Sequence, residues 1–376
     1  MPYYQHRNPV KNSIHVIKKI DYLVGPLLLK FSSLLSSSRH AGSVPNSLKK
    51  ILVIRPGGIG DAVLLIPSLK ILREIKPSME VDILCEPRNM GVFLGSPFVS
   101  GLYNYRSLTD LVRLSMNDYQ IVFDTEQSHF LSAVVVSKFR HSLKVGFATN
   151  GREEIYDIAV PYRQDQYEMD SFFDLFKEVI NGWPTEPGWN PPYFFVSPEQ
   201  KERVAREVQE IDRPLVCVFP GASIKERHWP TKNWATVIRR LWDEGFMSAV
   251  LGGANESALS QEVVKAARCP VLNLCSKLTL GETTALFNHA RLLISTDSGI
   301  LHLGVLCDIP TVSLFGPGIA QKWGPRGEKH IVLNKGLECS PCTLFGETPP
   351  CPRGALCMKQ ITVDEVITAA SNLLGK

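Results

Sequence analysis

Three glycines followed by a carboxylate form the first stretch of the sequence that could do chemistry. They are Gly57, Gly58, Gly60 and Asp61. The apolar run Ile51–Arg55 before them is typical of a buried parallel strand, and the pattern after them predicts a helix over residues 60–75. Backbone N–H groups and the dipole of such a helix start attract an anion. The spacing fits neither the dinucleotide fingerprint nor the P-loop, so a helix-capping role for Asp61 is the alternative.

A basic loop follows the predicted strand Leu215–Phe219 in the second half of the chain. Its small residues, in the run Pro220-Gly221-Ala222-Ser223, would let the backbone approach a ligand closely. Lys225 and Arg227 come next and could pair with phosphate. Ser223, Lys225 and Arg227 are therefore candidates for a phosphate site, and a solvated basic loop is the alternative.

A second helix start follows the predicted strand Leu292–Ser295. The run Thr296-Asp297-Ser298-Gly299 enters a predicted helix over residues 300–307, with His302 four residues past Ser298 on the same face. Free N–H groups in the first turn suit a diphosphate. The alternative is a capping Asp or Ser beside a histidine of the core.

The turn Gly252–Glu256 follows a further predicted strand, Ser248–Leu251. Glu256 could place a carboxylate on a ribose, as acidic residues do after other nucleotide-binding strands. Asn255 is the alternative in the neighbouring register, and an ordinary surface turn explains Asn255 alone.

Strands and helices alternate through the chain from residue 50 onward. The other predicted strands are Val81–Cys85, Leu102–Tyr105, Ile121–Asp124, Lys144–Phe147 and Thr311–Leu314. The other predicted helices cover residues 107–116, 128–140, 171–180, 199–210, 231–244 (with Thr231 as N-cap), 257–267 and 279–289. Strands separated by helices predict parallel sheets with right-handed crossovers.

Two domains are expected, because 376 residues exceed what one core usually supports. The Pro-, Gly- and Trp-rich stretch Gly182–Pro198 divides the pattern, which gives an N-terminal domain at 49–196 and a C-terminal domain at 197–376. Both are predicted to be doubly wound α/β domains, with ligands in a cleft outside the carboxyl ends of the strands.

The first fifty residues carry most of the positive charge. They contain eight Lys/Arg and one Asp, a net charge of +7, whereas the remainder has 33 basic and 36 acidic residues, a net charge of −3. The globular part therefore has no basic excess, and nucleic acid is not expected as a partner.

Apolar residues recur at helical spacing in this basic segment. They are Ile14, Ile17, Ile20, Val24, Leu27, Phe31 and Leu34. Charged residues interrupt the run, so neither a transmembrane helix nor a signal peptide is expected, and Pro26 should kink or split the helix. Residues 1–48 are thus predicted to be an amphipathic extension and linker. Two roles remain open, an anchor on an anionic membrane surface or a helix docked on the protein itself.

Four cysteines cluster in a Pro/Gly-rich loop over residues 339–357. They are Cys339, Cys342, Cys351 and Cys357. Their spacing permits a structural zinc site, whereas disulfides are disfavoured without a secretory signal.

The ordered set of motifs resembles the ADP-heptose:lipopolysaccharide heptosyltransferase family (glycosyltransferase family 9). The motifs are Ile54–Asp61, Pro220–Ser223 with Arg227-His228-Trp229-Pro230, and Thr296–Gly299 with His302. The resemblance covers the chain from about residue 50 to its C-terminus.

This resemblance implies a GT-B enzyme in which two Rossmann-like domains face each other. The acceptor would bind on the N-terminal side, at the Gly57–Gly60 loop, and the nucleotide-sugar would bind on the C-terminal side. It implies transfer with inversion and without a required cofactor, and Asp61 matches the proposed general base. The donor residues implied are Ser223, Lys225, Arg227, Glu256, Thr296, Asp297, Ser298, Gly299 and His302. Arg227 departs from the family's usual Lys, so Lys225 could share its role.

The implied partners are a nucleotide-diphosphate sugar and a lipid-linked saccharide acceptor. The implied place of action is the inner face of the bacterial cytoplasmic membrane, as a peripheral protein. The alternatives are transfer of another sugar, a GT-B sugar-nucleotide epimerase, and a non-catalytic nucleotide-sugar-binding or scaffold protein.

Overall fold

A computed structural model describes the backbone of residues 9–35, 44 and 47–375, and the side chains of residues 20–34, 44 and 47–375. Most of the predicted linker, and the side chains of Ile14 and Ile17, lie outside the described residues.

Two parallel six-stranded sheets form the centre of the molecule. The first contains β1 Lys50–Arg55, β2 Glu80–Cys85, β3 Gly101–Asn104, β4 Ile121–Asp124, β5 Leu143–Ala148 and β6 Ile158–Pro161, in the order β3-β2-β1-β4-β5-β6. The second contains β7 Leu215–Phe219, β8 Met247–Val250, β9 Leu272–Asn273, β10 Ala290–Thr296, β11 Thr311–Phe315 and β12 His330–Asn334, in the order β12-β11-β10-β7-β8-β9. Each sheet therefore has the doubly wound order in which the third strand lies at one edge and the sixth at the other.

Helices cover these sheets. The first half has α1 Pro9–Leu35, α2 Ile59–Ile75, α3 Met90–Phe93, α4 Leu108–Ser115, α5 Phe130–Val136 and α6 Glu168–Lys177. The second has α7 Pro198–Val208, α8 Thr231–Asp243, α9 Ser257–Ala267, α10 Leu280–Phe287, α11 Gly299–Leu306, α12 Ala320–Trp323, α13 Leu356–Lys359 and α14 Val363–Leu374. None of the described helices is long and apolar enough to cross a bilayer.

The central strands could be predicted from the sequence because strands that are buried on both faces consist of apolar residues throughout. Residues Ile51–Ile54 of β1 are wholly inaccessible to solvent, and strands of this kind read as continuous apolar runs. The apolar pattern did not predict β6, β9 and β12, which all lie at sheet edges, and β9 contains only two residues. Edge strands are half-exposed, so their apolar signal is weak.

One predicted helix cap was wrong. Thr231 is the first helical residue of α8, and Pro230 occupies the N-cap position without a side-chain cap. Proline fixes a backbone angle that suits the entry into a helix, so a capping hydroxyl is not needed at this boundary.

The predicted amphipathic helix is present as α1, and Pro26 lies inside it without splitting it. It packs on α5, and its buried residues are Asp21, Gly25, Leu29 and Ser32, of which Leu29 joins the hydrophobic core. Asp21 is buried and accepts hydrogen bonds from the backbone N–H groups of Phe130 (3.1 Å) and Leu131 (2.7 Å), so it caps α5. Gly25 lies against Phe130, since a Cβ at Gly25 would come within 2.7 Å of the Phe130 Cβ.

The cysteine loop does not support the zinc prediction. Cys339, Cys342, Cys351 and Cys357 are all free thiols. Across the part of the chain that the structure describes, no group of three or more His, Cys, Asp or Glu side chains is placed to hold a metal ion. Spacing along a chain does not fix the direction in which each thiol points, which is the property that a tetrahedral site requires.

The two domains meet where α2 and α11 begin. A Cβ at Gly299 would lie 2.8 Å from the Ile59 Cβ and 3.1 Å from the backbone nitrogen of Gly60, and a Cβ at Gly60 would lie 2.9 Å from the His302 Cδ2. These distances are shorter than ordinary contacts, so the two helix starts approach this closely only because both positions are glycine.

We expect Gly299→Ala to weaken this contact, since the added methyl group meets the β-branched side chain of Ile59 and the backbone nitrogen of Gly60. Overpacking of this kind costs about 1–3 kcal/mol, which chemical denaturation would measure as a lower midpoint. Gly58→Ala is the matched control, because a Cβ at Gly58 would meet nothing closer than 4.0 Å. Equal stability of the two variants would contradict the close approach of the helices.

Candidate functional site

The candidate site lies at the point where the strand order reverses in each sheet. In the N-terminal sheet this point separates β1 from β4, and in the C-terminal sheet it separates β7 from β10. Ligands of doubly wound sheets bind in the crevice at the carboxyl ends of such strands. Because α2 follows β1 and α11 follows β10, the contact between these helices brings the two crevices together.

Asp61 is the third residue of α2 and points into this crevice. Its carboxylate is 28% exposed, and the Asp61 Oδ2 lies 4.0 Å from the Arg55 Nη2. The N-cap of α2 is Gly58, which forms no side-chain cap bond. Asp61 is therefore not the capping residue that the alternative interpretation assumed, and its carboxylate remains open to a ligand.

Arg55 is a buried arginine next to Asp61 whose position is fixed by its contacts. It is 1% exposed, and it donates to the carbonyl oxygens of Pro56 and Thr125, each at 2.6 Å. Its Nη2 lies 3.2 Å from the Glu126 Oε2. A guanidinium held at so many points cannot turn away, so it presents a fixed positive charge to Asp61.

Glu126 organises the loop after β4. Its Oε1 accepts hydrogen bonds from the backbone N–H groups of Gln127 (3.0 Å) and Ser128 (3.1 Å), and it lies 3.0 Å from the His129 Nδ1. Burial would raise the pKa of Glu126, but His129, Arg55 and nearby positive charge hold this pKa well below its ordinary value. Glu126 is therefore an anion that is permanently paired within the protein.

Glu126 and Arg55 were missed as site residues by the sequence analysis. The available signal was their position, since both lie at the carboxyl end of a predicted strand next to the reversal point. Their role depends on which strand lies next to their own in the sheet, and a single stretch of sequence does not show this.

The Gly57–Gly60 loop, which is predicted to lie on the acceptor side, is held by a residue that follows β2. Gly57 has a backbone φ of +98°, which favours glycine. Its N–H donates to the Glu86 Oε1 at 3.1 Å, and Glu86 also binds Arg88 and Arg106. The loop is thereby tied to a group of charged side chains at the open side of the crevice.

Two predicted donor residues, Arg227 and Asp297, are bound to each other. The Arg227 Nη1 lies 3.1 Å from the Asp297 Oδ2, and Asp297 is almost fully buried. The Thr296 hydroxyl donates to the carbonyl oxygen of Gly221, which ties the end of β10 to the basic loop. Arg227 is thus fixed at the carboxyl end of β10.

Ser298 is the N-cap of α11, since its hydroxyl accepts a hydrogen bond from the Leu301 N–H at 3.3 Å. Ser298 therefore has the helix-capping role that the sequence allowed as an alternative. His302 is almost fully buried, and burial lowers its pKa. Its ring is therefore neutral at neutral pH, and it packs over Gly60 as part of the wall between the helix starts.

The remaining predicted donor residues lie at the edge of the same crevice. Ser223 is exposed, and the Lys225 side chain is 85% exposed beside Glu226. The Glu256 side chain lies against Gly221, whose Cβ would come within 2.4 Å of the Glu256 Cγ, and its Oε2 accepts from the Gly253 N–H at 2.9 Å. The structure thus brings the predicted residues of the C-terminal domain to one edge, opposite Asp61.

This arrangement combines an open carboxylate with a positively polarised helix start and a fixed arginine. A carboxylate of this kind can accept a proton from a hydroxyl group, and the helix start and the arginine can hold a diphosphate. The site is therefore chemically suited to transfer of a group from a nucleoside diphosphate to an alcohol.

Comparison with known proteins agrees with this chemistry. The sequence model of glycosyltransferase family 9 (heptosyltransferase) matches residues 111–349. The lipopolysaccharide heptosyltransferase 2 of Escherichia coli (strain K12) is 25% identical over 310 residues, which are 76% of this chain and 87% of that protein.

Solved structures share the fold. The structure of a family 9 glycosyltransferase from Veillonella parvula DSM 2008 has a TM-score of 0.73 at 19% identity and covers 90% of this chain and 99% of that chain. E. coli ADP-heptose lps heptosyltransferase II has a TM-score of 0.71 at 20% identity, covering 86% and 98%. These matches confirm the predicted GT-B fold of two facing Rossmann-like domains.

The family model covers more than half of the chain. The chain belongs to glycosyltransferase family 9, the heptosyltransferase family.

Proposed function

We propose that this enzyme transfers heptose from ADP-heptose to the lipopolysaccharide core or a related envelope glycolipid, with inversion at the anomeric carbon and with Asp61 as general base. The observation that carries the proposal is the position of Asp61, open to solvent at the start of α2 and directly opposite the start of α11. Relatives named as lipopolysaccharide heptosyltransferases, one of them described with ADP-heptose, support the choice of donor and acceptor.

In the proposed reaction the acceptor hydroxyl attacks the anomeric carbon from the side of the N-terminal domain. Asp61 takes the hydroxyl proton as the new C–O bond forms, and the bond between the anomeric carbon and the diphosphate oxygen breaks with its electron pair. The negative charge that develops on the leaving diphosphate faces the α11 start and Arg227, which stabilise it. A single displacement of this kind inverts the anomeric centre.

The donor site is proposed to consist of the residues at the carboxyl ends of β7, β8 and β10. Arg227 and the α11 start would bind the diphosphate, and Glu256 would bind the ribose of the nucleotide. Lys225 would contribute a second, mobile positive charge, because its side chain is exposed beside the fixed arginine.

Asp61→Asn is expected to lower the turnover number by about 10²–10⁴-fold, the range for loss of one general base. Affinity for ADP should hardly change, because Asp61 lies on the acceptor side. Asp165→Asn, which removes an exposed carboxylate of the same domain, is the control and should retain wild-type turnover. Near-normal turnover of Asp61→Asn would show that another group is the base.

Arg227→Gln is expected to weaken ADP binding by at least about 10-fold, since hydrogen bonds to charged groups contribute about 1.5–3 kcal/mol. Isothermal titration calorimetry with ADP would measure this loss. Arg291→Gln, at an exposed position at the opposite end of β10, is the matched control. Unchanged affinity in Arg227→Gln would place the diphosphate elsewhere.

We also propose that α1 holds the enzyme on an anionic membrane surface. The stripe residues Ile20, Val24, Leu27, Phe31 and Leu34 are between 41% and 71% exposed. The helix binds the protein through its opposite face, around Asp21 and Gly25. The apolar face is thus directed away from the protein, and an interfacial helix buries such a face in the boundary between headgroups and acyl chains.

The positive charge of the N-terminal segment favours an anionic bilayer as the partner of the apolar face of α1. The first fifty residues have a net charge of +7, and each Lys or Arg near an anionic surface contributes about 1 kcal/mol before screening. The proposed acceptor is itself a lipid. Because α1 packs on α5, which follows the Glu126 loop, membrane contact would hold the acceptor side of the crevice in a fixed orientation.

The triple variant Leu23→Gln, Leu27→Gln, Phe31→Gln should lose co-sedimentation with vesicles that contain phosphatidylglycerol. These side chains are at least 61% exposed, so stability should be almost unchanged. Leu94→Gln, Leu108→Gln, Met116→Gln, which alters three equally exposed apolar residues elsewhere, is the control. Vesicle binding that persists in the first variant would contradict a membrane role. A change only in its oligomeric state, measured by light scattering, would also contradict that role and would indicate that a second copy of the chain covers the helix.

A further inference from the structure

Residues 343–348 of the cysteine loop form a tight hairpin, which we call the strap. Leu344 and Glu347 exchange two backbone N–H···O bonds, each at 2.9 Å. Both central residues of the turn have positive φ, +47° at Phe345 and +74° at Gly346. Turns of this kind favour Asn, Asp or Gly at the first central position, and a bulky side chain there is strained. The ring of Phe345 is therefore held at a position that its own backbone disfavours.

The base of the strap lies beside the proposed diphosphate site. The Thr343 N–H donates to the carbonyl oxygen of Pro317 at 2.9 Å, in the segment that follows β11. The next residue of that segment, Gly318, lies directly against the carboxylate of Asp297. Asp297 in turn binds Arg227. The strap thus begins on the donor side of the crevice.

The tip of the strap contacts the N-terminal domain. The Phe345 ring stacks on the Tyr162 ring, with centroids 6.0 Å apart and ring planes 23° apart. The Glu347 Oε1 lies 3.9 Å from the His129 Nε2, and the Nδ1 of the same histidine lies 3.0 Å from the Glu126 Oε1. Because Glu126 organises the loop beside the candidate base, the strap crosses from the donor side of the crevice to its acceptor side.

A second contact between the domains, made by Lys322 of α12, differs from the strap in burial. Lys322 is 0% exposed, and its Nζ donates to the carbonyl oxygens of Arg163 (2.8 Å) and Gln166 (3.3 Å). The Nζ also lies 2.9 Å from the Glu168 Oε2. Leu344 at the strap turn is 58% exposed. A buried joint with two hydrogen bonds and an ion pair is stronger than a partly exposed ring stack, so the strap can detach while Lys322 keeps the domains together.

We propose that the strap closes the crevice over the bound sugar, and that Phe345 is the positioning residue that fastens it to Tyr162. The strap opens to admit the acceptor and closes before transfer. The strain at Phe345 weakens the closed state, which allows the strap to reopen. This inference rests on the proposed function.

Closure has a chemical consequence, because water competes with the acceptor hydroxyl. In the side reaction a water oxygen bonds to the anomeric carbon and the water proton passes to Asp61. The bond between the anomeric carbon and the diphosphate oxygen breaks with its electron pair, so that free heptose and ADP are released. A closed strap lowers the share of donor that is lost in this way.

The test is the ratio of free heptose to transferred heptose, measured with ADP-heptose and a lipopolysaccharide-core acceptor. Phe345→Asn removes the ring and places at the turn a residue that adopts positive φ readily. The ratio should rise by about 2–10-fold, the factor that corresponds to loss of one aromatic pair. The midpoint of chemical denaturation should not fall, because relief of backbone strain offsets the lost contact.

Two variants are the matched controls. Phe345→Tyr keeps a ring at the same position and should retain the wild-type ratio. Leu344→Asn alters the neighbouring exposed residue of the same turn and should also retain it. A merely structural role of Phe345 would lower transfer and hydrolysis together. An unchanged ratio in Phe345→Asn, or an equal increase in Leu344→Asn, would therefore overturn the proposal.

Failure of the proposed function gives a different result. If the wild-type protein neither transfers nor hydrolyses the sugar of ADP-heptose, the strap is tested by NMR of ring-labelled tyrosine, with Tyr162→Phe to assign the Tyr162 signal. This measurement needs no turnover. A Tyr162 signal that shifts in Phe345→Asn and not in Leu344→Asn would support the fastening of the strap, and an identical signal in the wild type and Phe345→Asn would overturn it.

Discussion

The contact between the starts of α2 and α11 is the constraint on which the rest of the site depends. Each helix start carries a partial positive charge, and two such ends repel when they face each other at short distance. Gly60 and Gly299 make the approach sterically possible, and carboxylates lie beside each start, Asp61 on one side and Asp297 on the other. The free backbone N–H groups of such a helix start are suited to bind a diphosphate.

Buried charges fix the side chains around this contact. Arg55, Glu126 and the pair Lys322–Glu168 have lost almost all of their hydration, so each must keep its partners. Breaking such a pair by removing one member costs about 3–5 kcal/mol, since the other charge is left buried. The network therefore contributes more to the orientation of Asp61 and to the relation between the domains than to net stability.

The position of α1 shows how a polar residue can decide the orientation of an apolar helix. Asp21 is buried because it caps α5, and its pKa is raised by this burial, although the backbone N–H groups of Phe130 and Leu131 oppose the increase. With that face used for capping, the apolar stripe has no place in the core and stays exposed. The amphipathic pattern of the sequence was correct, but the face that contacts the protein is the opposite of the one that hydrophobicity alone would select.

Sequence by itself determined the local features. Continuous apolar runs fixed the central strands, because a strand buried on both faces needs apolar residues throughout. Glycines and small polar residues at the ends of those strands made Asp61, the basic loop and the start of α11 candidate site residues, since close approach of a backbone to a ligand requires these residue types. The family resemblance rested on the same motifs.

Only the tertiary structure decided what depends on residues far apart in the chain. The pairing of Arg227 with Asp297 and the contact of Lys322 with Glu168 join separate elements, and no local pattern encodes them. The cysteine spacing permitted a metal site that the described thiols do not form, because ligand geometry is set by the fold around them. Charge compensation across the domain contact is likewise invisible in the sequence, since burial, which gives each charge its energetic weight, exists only once the chain is folded.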